Sequence, residues 1–272
     1  MTRIAYLGPA GTFTEQAARQ FSIDGAEYVP VDSPAAALGA LGAGADFAVC
    51  AIENSVDGAV TATADALAAT PGVQIVAETE LAIAFAVMTR PGQSLAAAAR
   101  LATHPVAFQQ VKGWVREHAP NAEFVPAASN AAAAQMVADG QADIAVAPER
   151  AAELFGLQVH ATDVADSATA RTRFVLVAQH TALPAATGAD RTAVVLRTPN
   201  TPGALVGVLQ EFAARGVDMS RIESRPTRIE PNTYNFFIDL VGHAEDPAVA
   251  AALKAVEVKA DSMLFLGSWP RA

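Results

Sequence analysis

Cysteine is almost missing from this 272-residue chain: Cys50 stands alone, which excludes an internal disulfide. Histidine is scarce too, with five in all and no two at metal-ligand spacing, so a structural zinc site is not expected. Charged residues make up only 17% of the chain, and their acidic excess of −10 leaves no basic footprint for nucleic acid or an anionic membrane surface. No apolar run approaches the roughly 18 to 20 residues of a membrane helix. The N-terminus MTRIAYLGP passes straight into a strand-like segment, without the regions of a signal peptide. A cytoplasmic protein is expected, and an anionic small-molecule ligand would have to be held by a locally positive pocket.

What the chain has in quantity is apolar residues, 52%, enough for a large core and about two domains. Strand and helix patterns alternate through the first 178 residues. RIAYLG, EYVPV and DFAVCAI read as strands; Thr12 and Glu15 stand at capping-box spacing, and Ser33-Pro34 and Ser129 open helices. The alternation predicts a mainly parallel α/β sheet with its ligands beyond the carboxyl ends of the strands. The long stretch VQIVAETELAIAFAVMTR leads to a second α/β group, and the chain returns through TRFVLVA. Two lobes with a ligand cleft between them follow, over residues 1–179.

Residues 180–190, HTALPAATGAD, lose periodicity and read as a linker. Residues 191–272 then give strand, helix, strand, strand, helix, strand, a βαββαβ unit of ferredoxin-like type. Leu205, Val208, Leu209 and Phe212 make one helical apolar stripe, and Val249, Ala252, Leu253 and Val256 make another, so both helices can cover one face of the same sheet.

Seven segments occur in order: GPAGTFTE (8–15), AIENSVDG (51–58), THPVAFQQ (103–110), SNAAAA (129–134), RTRF (171–174), GALV (203–206) and ESRP (223–226). Together they resemble the prephenate dehydratase family over essentially the whole chain. The resemblance implies a type 2 periplasmic-binding-protein-like catalytic domain followed by an ACT regulatory domain. It implies a cofactor-free, metal-free lyase that converts prephenate to phenylpyruvate and is inhibited by L-phenylalanine, in a homodimer or homotetramer. An arogenate dehydratase and a non-catalytic metabolite sensor are the alternatives; the sensor predicts loss of the Thr172 hydroxyl, which is present. No chorismate mutase segment is expected ahead of residue 1, and GPAGT lacks the glycine spacing of a nicotinamide-dependent dehydrogenase.

By position in the motifs, Thr172 is expected to assist departure of the ring hydroxyl. Its pKa is too high for a strong acid, so its role is that of a hydrogen-bond donor. Glu53 is a second catalytic candidate, able to donate if it is kept protonated by desolvation. Thr12, Asn54, Ser55, Thr103, Gln110, Arg173 and Phe174 are candidate substrate contacts. Arg173 fits either a bidentate grip on a carboxylate or an ion pair with Glu53 or Asp166, and Phe174 also fits plain packing. The family often has asparagine where this chain has Ala170, and serine where it has Thr103. His104 reads as a helix-entry residue in a reaction that needs no base, and Cys50 as core. Gly203, Ala204 and Leu205, with Glu223, Ser224, Arg225 and Pro226, are the candidate phenylalanine site, with Arg225 a candidate bridge between subunits.

Overall fold

The computed structural model describes residues 1–166, 170–228 and 230–272. The first lobe is built from β1 (Arg3–Leu7), α1 (Phe13–Gln20), β2 (Glu27–Val31), α2 (Pro34–Gly39), β3 (Phe47–Asn54), β4 (Gly58–Ala59), α3 (Thr61–Ala69) and β5 (Val73–Ala82). The second holds β6 (Ala86–Thr89), β7 (Arg100–Thr103), α4 (Pro105–Gln110), α5 (Lys112–His118), β8 (Glu123–Pro126), α6 (Asn130–Ala138), β9 (Ile144–Ala147), α7 (Glu149–Phe155) and β10 (Gln158–Ala161). β11 (Arg171–Gln179) then returns to the first lobe.

The long apolar stretch of the sequence is thus two strands in two sheets. β5 ends at Ala82 and β6 begins at Ala86, so the chain changes lobes within three residues. The first sheet runs β2-β1-β3-β11-β5 and the second β10-β6-β9-β7-β8. The expectation of a mainly parallel sheet holds only where helical crossovers link the strands: β1 is parallel to β2 and β3, and β7 to β8 and β9. β11 is antiparallel to both β3 and β5, and β6 to β9 and β10, because strands that carry the chain between lobes enter from the opposite end.

Local capping follows the sequence with one change. The Thr12, Ser33 and Ser129 hydroxyls accept from Glu15 N, Ala36 N and Ala132 N. The Glu15 carboxylate, however, accepts from Gly11 N at 2.6 Å instead of closing the box on Thr12 N.

The C-terminal unit comprises β12 (Asp190–Arg197), α8 (Ala204–Ala213), β13 (Met219–Pro226), β14 (Tyr234–Val241), α9 (Pro247–Lys259) and β15 (Ser262–Pro270), with sheet order β13-β14-β12-β15, all antiparallel. Val194, Leu196, Ile238 and Leu240 face the helices and pack on Val208, Phe212, Val249 and Val256. Period 2 turns Ala193, Val195 and Phe237 to the other face, where with Leu266 and Trp269 they join Ile75, Val175 and Val177 of the first lobe in one core. Each large apolar side chain buried there contributes about 1.5–3 kcal/mol of transfer free energy. Gly267 makes the approach possible: a Cβ there would lie 2.3 Å from Ile75 O, and its φ is +129°.

Candidate active site

A cavity of about 620 Å³ opens between the lobes, lined from the first by Gly8, Pro9, Thr12 and Asp32 and from the second by His104, Ser129 and Asn130. It lies at the carboxyl ends of β1, β2, β7 and β8, where an α/β fold gathers its ligands. The starts of α1, α4 and α6 border it, and helix N-termini offer N–H donors and partial positive charge to an anion. Neither Lys nor Arg is among the described residues lining the cavity and Asp32 is, so in this chain of net charge −10 the helix starts are what the cavity offers an anion. Burial pushes the His104 imidazole below its ordinary value, against the pull of Asp57. Its Nδ1 accepts from Val106 N, which leaves the neutral ring's proton on Nε2 as a donor.

The end of β3 meets the start of β11 outside the residues that line this cavity; the link between them is Asp57, three residues after Asn54, whose charge acts on His104 of the cavity wall. Register sets Thr172 opposite Asn54, and Asn54 Nδ2 donates to Thr172 Oγ1 at 2.9 Å. Asn54 Oδ1 is fixed in turn by Val56 N and Asp57 N. The carboxamide therefore cannot flip without losing three hydrogen bonds. With its oxygen used as an acceptor, the nearly buried Thr172 hydroxyl keeps its own proton for donation. Asp57, at the tip of this turn, reaches Gln110 Nε2 of the second lobe at 3.5 Å. Gln110 Oε1 is buried with no hydrogen-bond partner among the described residues, an acceptor facing no donor.

Other candidates take different places. Ser55 locks the start of β11 by accepting from Arg171 N through its hydroxyl and donating its own N–H to Arg171 O. Thr103 is wholly buried and its hydroxyl donates to Val146 O at 2.7 Å, with Asn130 Oδ1 of the cavity wall at 3.3 Å, so it can steady Asn130 but does not itself reach the cavity. Phe174 is core. Arg173 is turned away from Thr172 by the period of the strand and does not grip a ligand: Nη1 donates to Glu78 and Nη2 to Glu53 and Asp239. Glu53 is thus an ion-pair acceptor with 42% of its side chain exposed, neither desolvated nor aimed at Thr172. Burial pushes the Cys50 thiol up to about 12, so it stays an inert core group.

Two contacts join the lobes that the sequence reading did not foresee: Asp57 with Gln110, described above, and Glu15, expected only as a capping residue. Glu15, 2% exposed, takes hydrogen bonds from Arg19 and from Arg150 of α7, the latter at 3.3 Å. Burial alone would raise its carboxyl; the Gly11 N–H, Arg19 and Arg150 more than offset this and hold it below the ordinary glutamate range. Asp57 and Glu15 both lie within quoted motifs, but their partners lie 53 and 135 residues away, and no local pattern signals those contacts.

In the C-terminal unit the two candidate motifs come to one end of the sheet, Arg197 and Arg225 sharing Asn235 as register partner. Gly203 takes φ +85° to start α8, and Ala204 N is used by Thr201 O. Ser224 and Pro226 are exposed while Glu223 and Arg225 face the first lobe. Arg225 forms a two-pronged pair with Asp65 of α3 at 3.0 and 2.7 Å, so within one chain it bridges the two domains. No cluster of three or more metal-ligating side chains occurs among the described residues, and no helix among them is long and apolar enough to cross a membrane.

The profile of the family described as "Prephenate dehydratase" matches residues 4–182, and that of the ACT domain residues 192–258. A prephenate dehydratase of Corynebacterium glutamicum is 54% identical over 99% of this chain and 88% of its own. Among solved structures, prephenate dehydratase of Arthrobacter aurescens in complex with L-Phe superposes with a TM-score of 0.94 at 43% identity, covering 100% of this chain and 90% of that one. GqqA, described as a novel type of quorum quenching acylase, superposes with a TM-score of 0.90 at 33% identity over 99% and 98% of the two chains. On family profiles, identity and fold together, this chain belongs to the prephenate dehydratase family.

Proposed function

We propose that the chain catalyses the decarboxylating dehydration of prephenate to phenylpyruvate and that L-phenylalanine, acting at the ACT unit, inhibits it. The ring carboxylate leaves as carbon dioxide, its bonding electrons enter the ring, and the C–O bond at the opposite carbon breaks. The hydroxyl departs with a proton as water. Aromatisation drives the reaction, so the protein's work is orientation and stabilisation of the leaving oxygen. The observation that carries this reading is the Asn54–Thr172 couple at the cleft, a fixed amide that leaves one hydroxyl proton to be donated. Helix starts and the His104 Nε2–H suit the side-chain carboxylate and keto group.

The same couple counts against acyl transfer. A nucleophilic hydroxyl needs a base to take its proton, and the partner of Thr172 is a donor. The exposed edge of β13, with Ile222 at 47% exposure and Ser224 beside it, suits pairing with a second copy that completes the phenylalanine site with α8. A cytoplasmic location accords with a soluble biosynthetic lyase. The test is formation of phenylpyruvate from prephenate, and of phenylalanine from arogenate, by purified protein with and without added L-phenylalanine. Prephenate turnover suppressed by L-phenylalanine is expected. Preference for arogenate would change the substrate, and phenylalanine binding without turnover of either would make the protein a sensor.

A further inference from the structure

Thr172 and Arg173 point to opposite faces of β11, and Asn54 and Glu53 to opposite faces of β3. On the cleft side Asn54 holds Thr172 at 2.9 Å; on the other side Arg173 Nη2 holds Glu53 at 3.0 Å. The same Nη2 donates to Asp239 Oδ2 of β14 at 2.6 Å, and Nη1 to Glu78 at 3.1 Å. Beyond Asp239 the series continues to Arg221 Nε at 3.4 Å, and from Arg221 Nη1 to Glu223 Oε2 at 3.7 Å. These last two are charge contacts without hydrogen-bond geometry: Arg221 Nε, Arg221 Nη1 and Glu223 Oε2 are buried and unpartnered among the described residues. The series is tight at Arg173 and loose at Arg221 and Glu223. Buried groups with unused hydrogen-bonding capacity have a second arrangement open to them, and a two-arrangement element is what coupling between sites requires.

Resting on the function proposed above, we infer that Asp239, a residue of the regulatory sheet, is a positioning residue for dehydration. It acts through Arg173 on the Thr172–Asn54 couple, and phenylalanine reaches turnover through Glu223, Arg221 and Asp239. Arg191 provides an internal comparison. It pairs with the same two carboxylates, Glu78 at 3.1 Å and Asp239 at 3.6 Å, but is not the chain neighbour of a cleft residue.

The experiment measures kcat and KM for prephenate, L-phenylalanine binding by calorimetry, maximal inhibition and the thermal midpoint in the full chain. Asp239→Asn and Arg173→Lys are each expected to lower kcat about tenfold, a size typical of coupling residues one contact removed from a site. KM should stay within about twofold, as for groups that act only in the transition state. Asp239→Asn should still bind L-phenylalanine yet be inhibited less completely, and Asp239→Glu should recover most of kcat. Arg191→Gln should lower the thermal midpoint and leave kcat unchanged. If Asp239→Asn does not fold, Arg173→Lys and Asp239→Glu carry the same test. Unchanged kcat and inhibition in Asp239→Asn, or an equal fall in Arg191→Gln, would overturn the inference. A wild-type protein that turns over no prephenate would instead overturn the functional reading and this inference with it.

Discussion

The Asn54 side chain does two jobs with its two ends, and they can be separated. Its Oδ1 organises the turn to Asp57, and its Nδ2 polarises Thr172. Asn54→Asp keeps the first and abolishes the second, since a carboxylate beside Thr172 would take the hydroxyl proton in a hydrogen bond. A fall in kcat of about 10²-fold is expected, the scale for losing one preorganised donor, with the thermal midpoint little moved; steady-state kinetics and calorimetry together check it. Glu15 carries a pH signature. Its carboxyl is held low in the folded state, so its stabilisation is present above the ordinary glutamate range and lost as pH falls through that range toward the folded value. Thermal midpoints measured against pH should therefore show wild type above Glu15→Gln at neutral pH, with the gap closing in acid. Residue-level roles were only partly legible in the sequence. The segments RTRF and AIENSVDG marked two strand ends that the register pairs, but neighbours in a strand point opposite ways. Without the register, Arg173 and Thr172 looked like one site.

At the scale of elements, caps and stripes were readable because their partners lie three or four residues away. Thr12, Ser33 and Ser129 cap the expected helices, and Val249, Ala252, Leu253 and Val256 are all buried. The break between β5 and β6 was not readable, because one unbroken apolar pattern serves two sheets. Nor was the contact of β15 with β5, which depends on a missing side chain. Gly267→Ala should expose that contact. An added methyl against Ile75 O, at a positive φ, is expected to cost about 2–4 kcal/mol, the range of overpacking with backbone strain. Gly207→Ala in α8, where a Cβ meets nothing within 4 Å, should instead gain about 0.4–1 kcal/mol by limiting the unfolded chain. Denaturant unfolding of the two variants gives both signs in one comparison.

At the scale of the whole molecule, the sequence spoke clearly about domain types and said little about how they join. Seven motifs in order implied the family that the profile matches bear out, whereas the docking of the ACT sheet face on the first lobe was not legible: the unbroken apolar run of β12 says that both faces are covered but not by what. That joint places Asp65, Glu78 and Asp239 against Arg225, Arg173 and Arg191, so regulatory and catalytic parts share buried charges and are not two beads on a linker. The account still converges on one hydroxyl. The measurement that tests it most directly is kcat for prephenate in Thr172→Ala beside Thr172→Ser, with circular dichroism and thermal midpoints to verify the fold. A loss of about 10²-fold or more in the alanine variant, as for removal of a transition-state donor, with most activity kept by serine, is the result expected. Turnover of the alanine variant within a few-fold of wild type would contradict it.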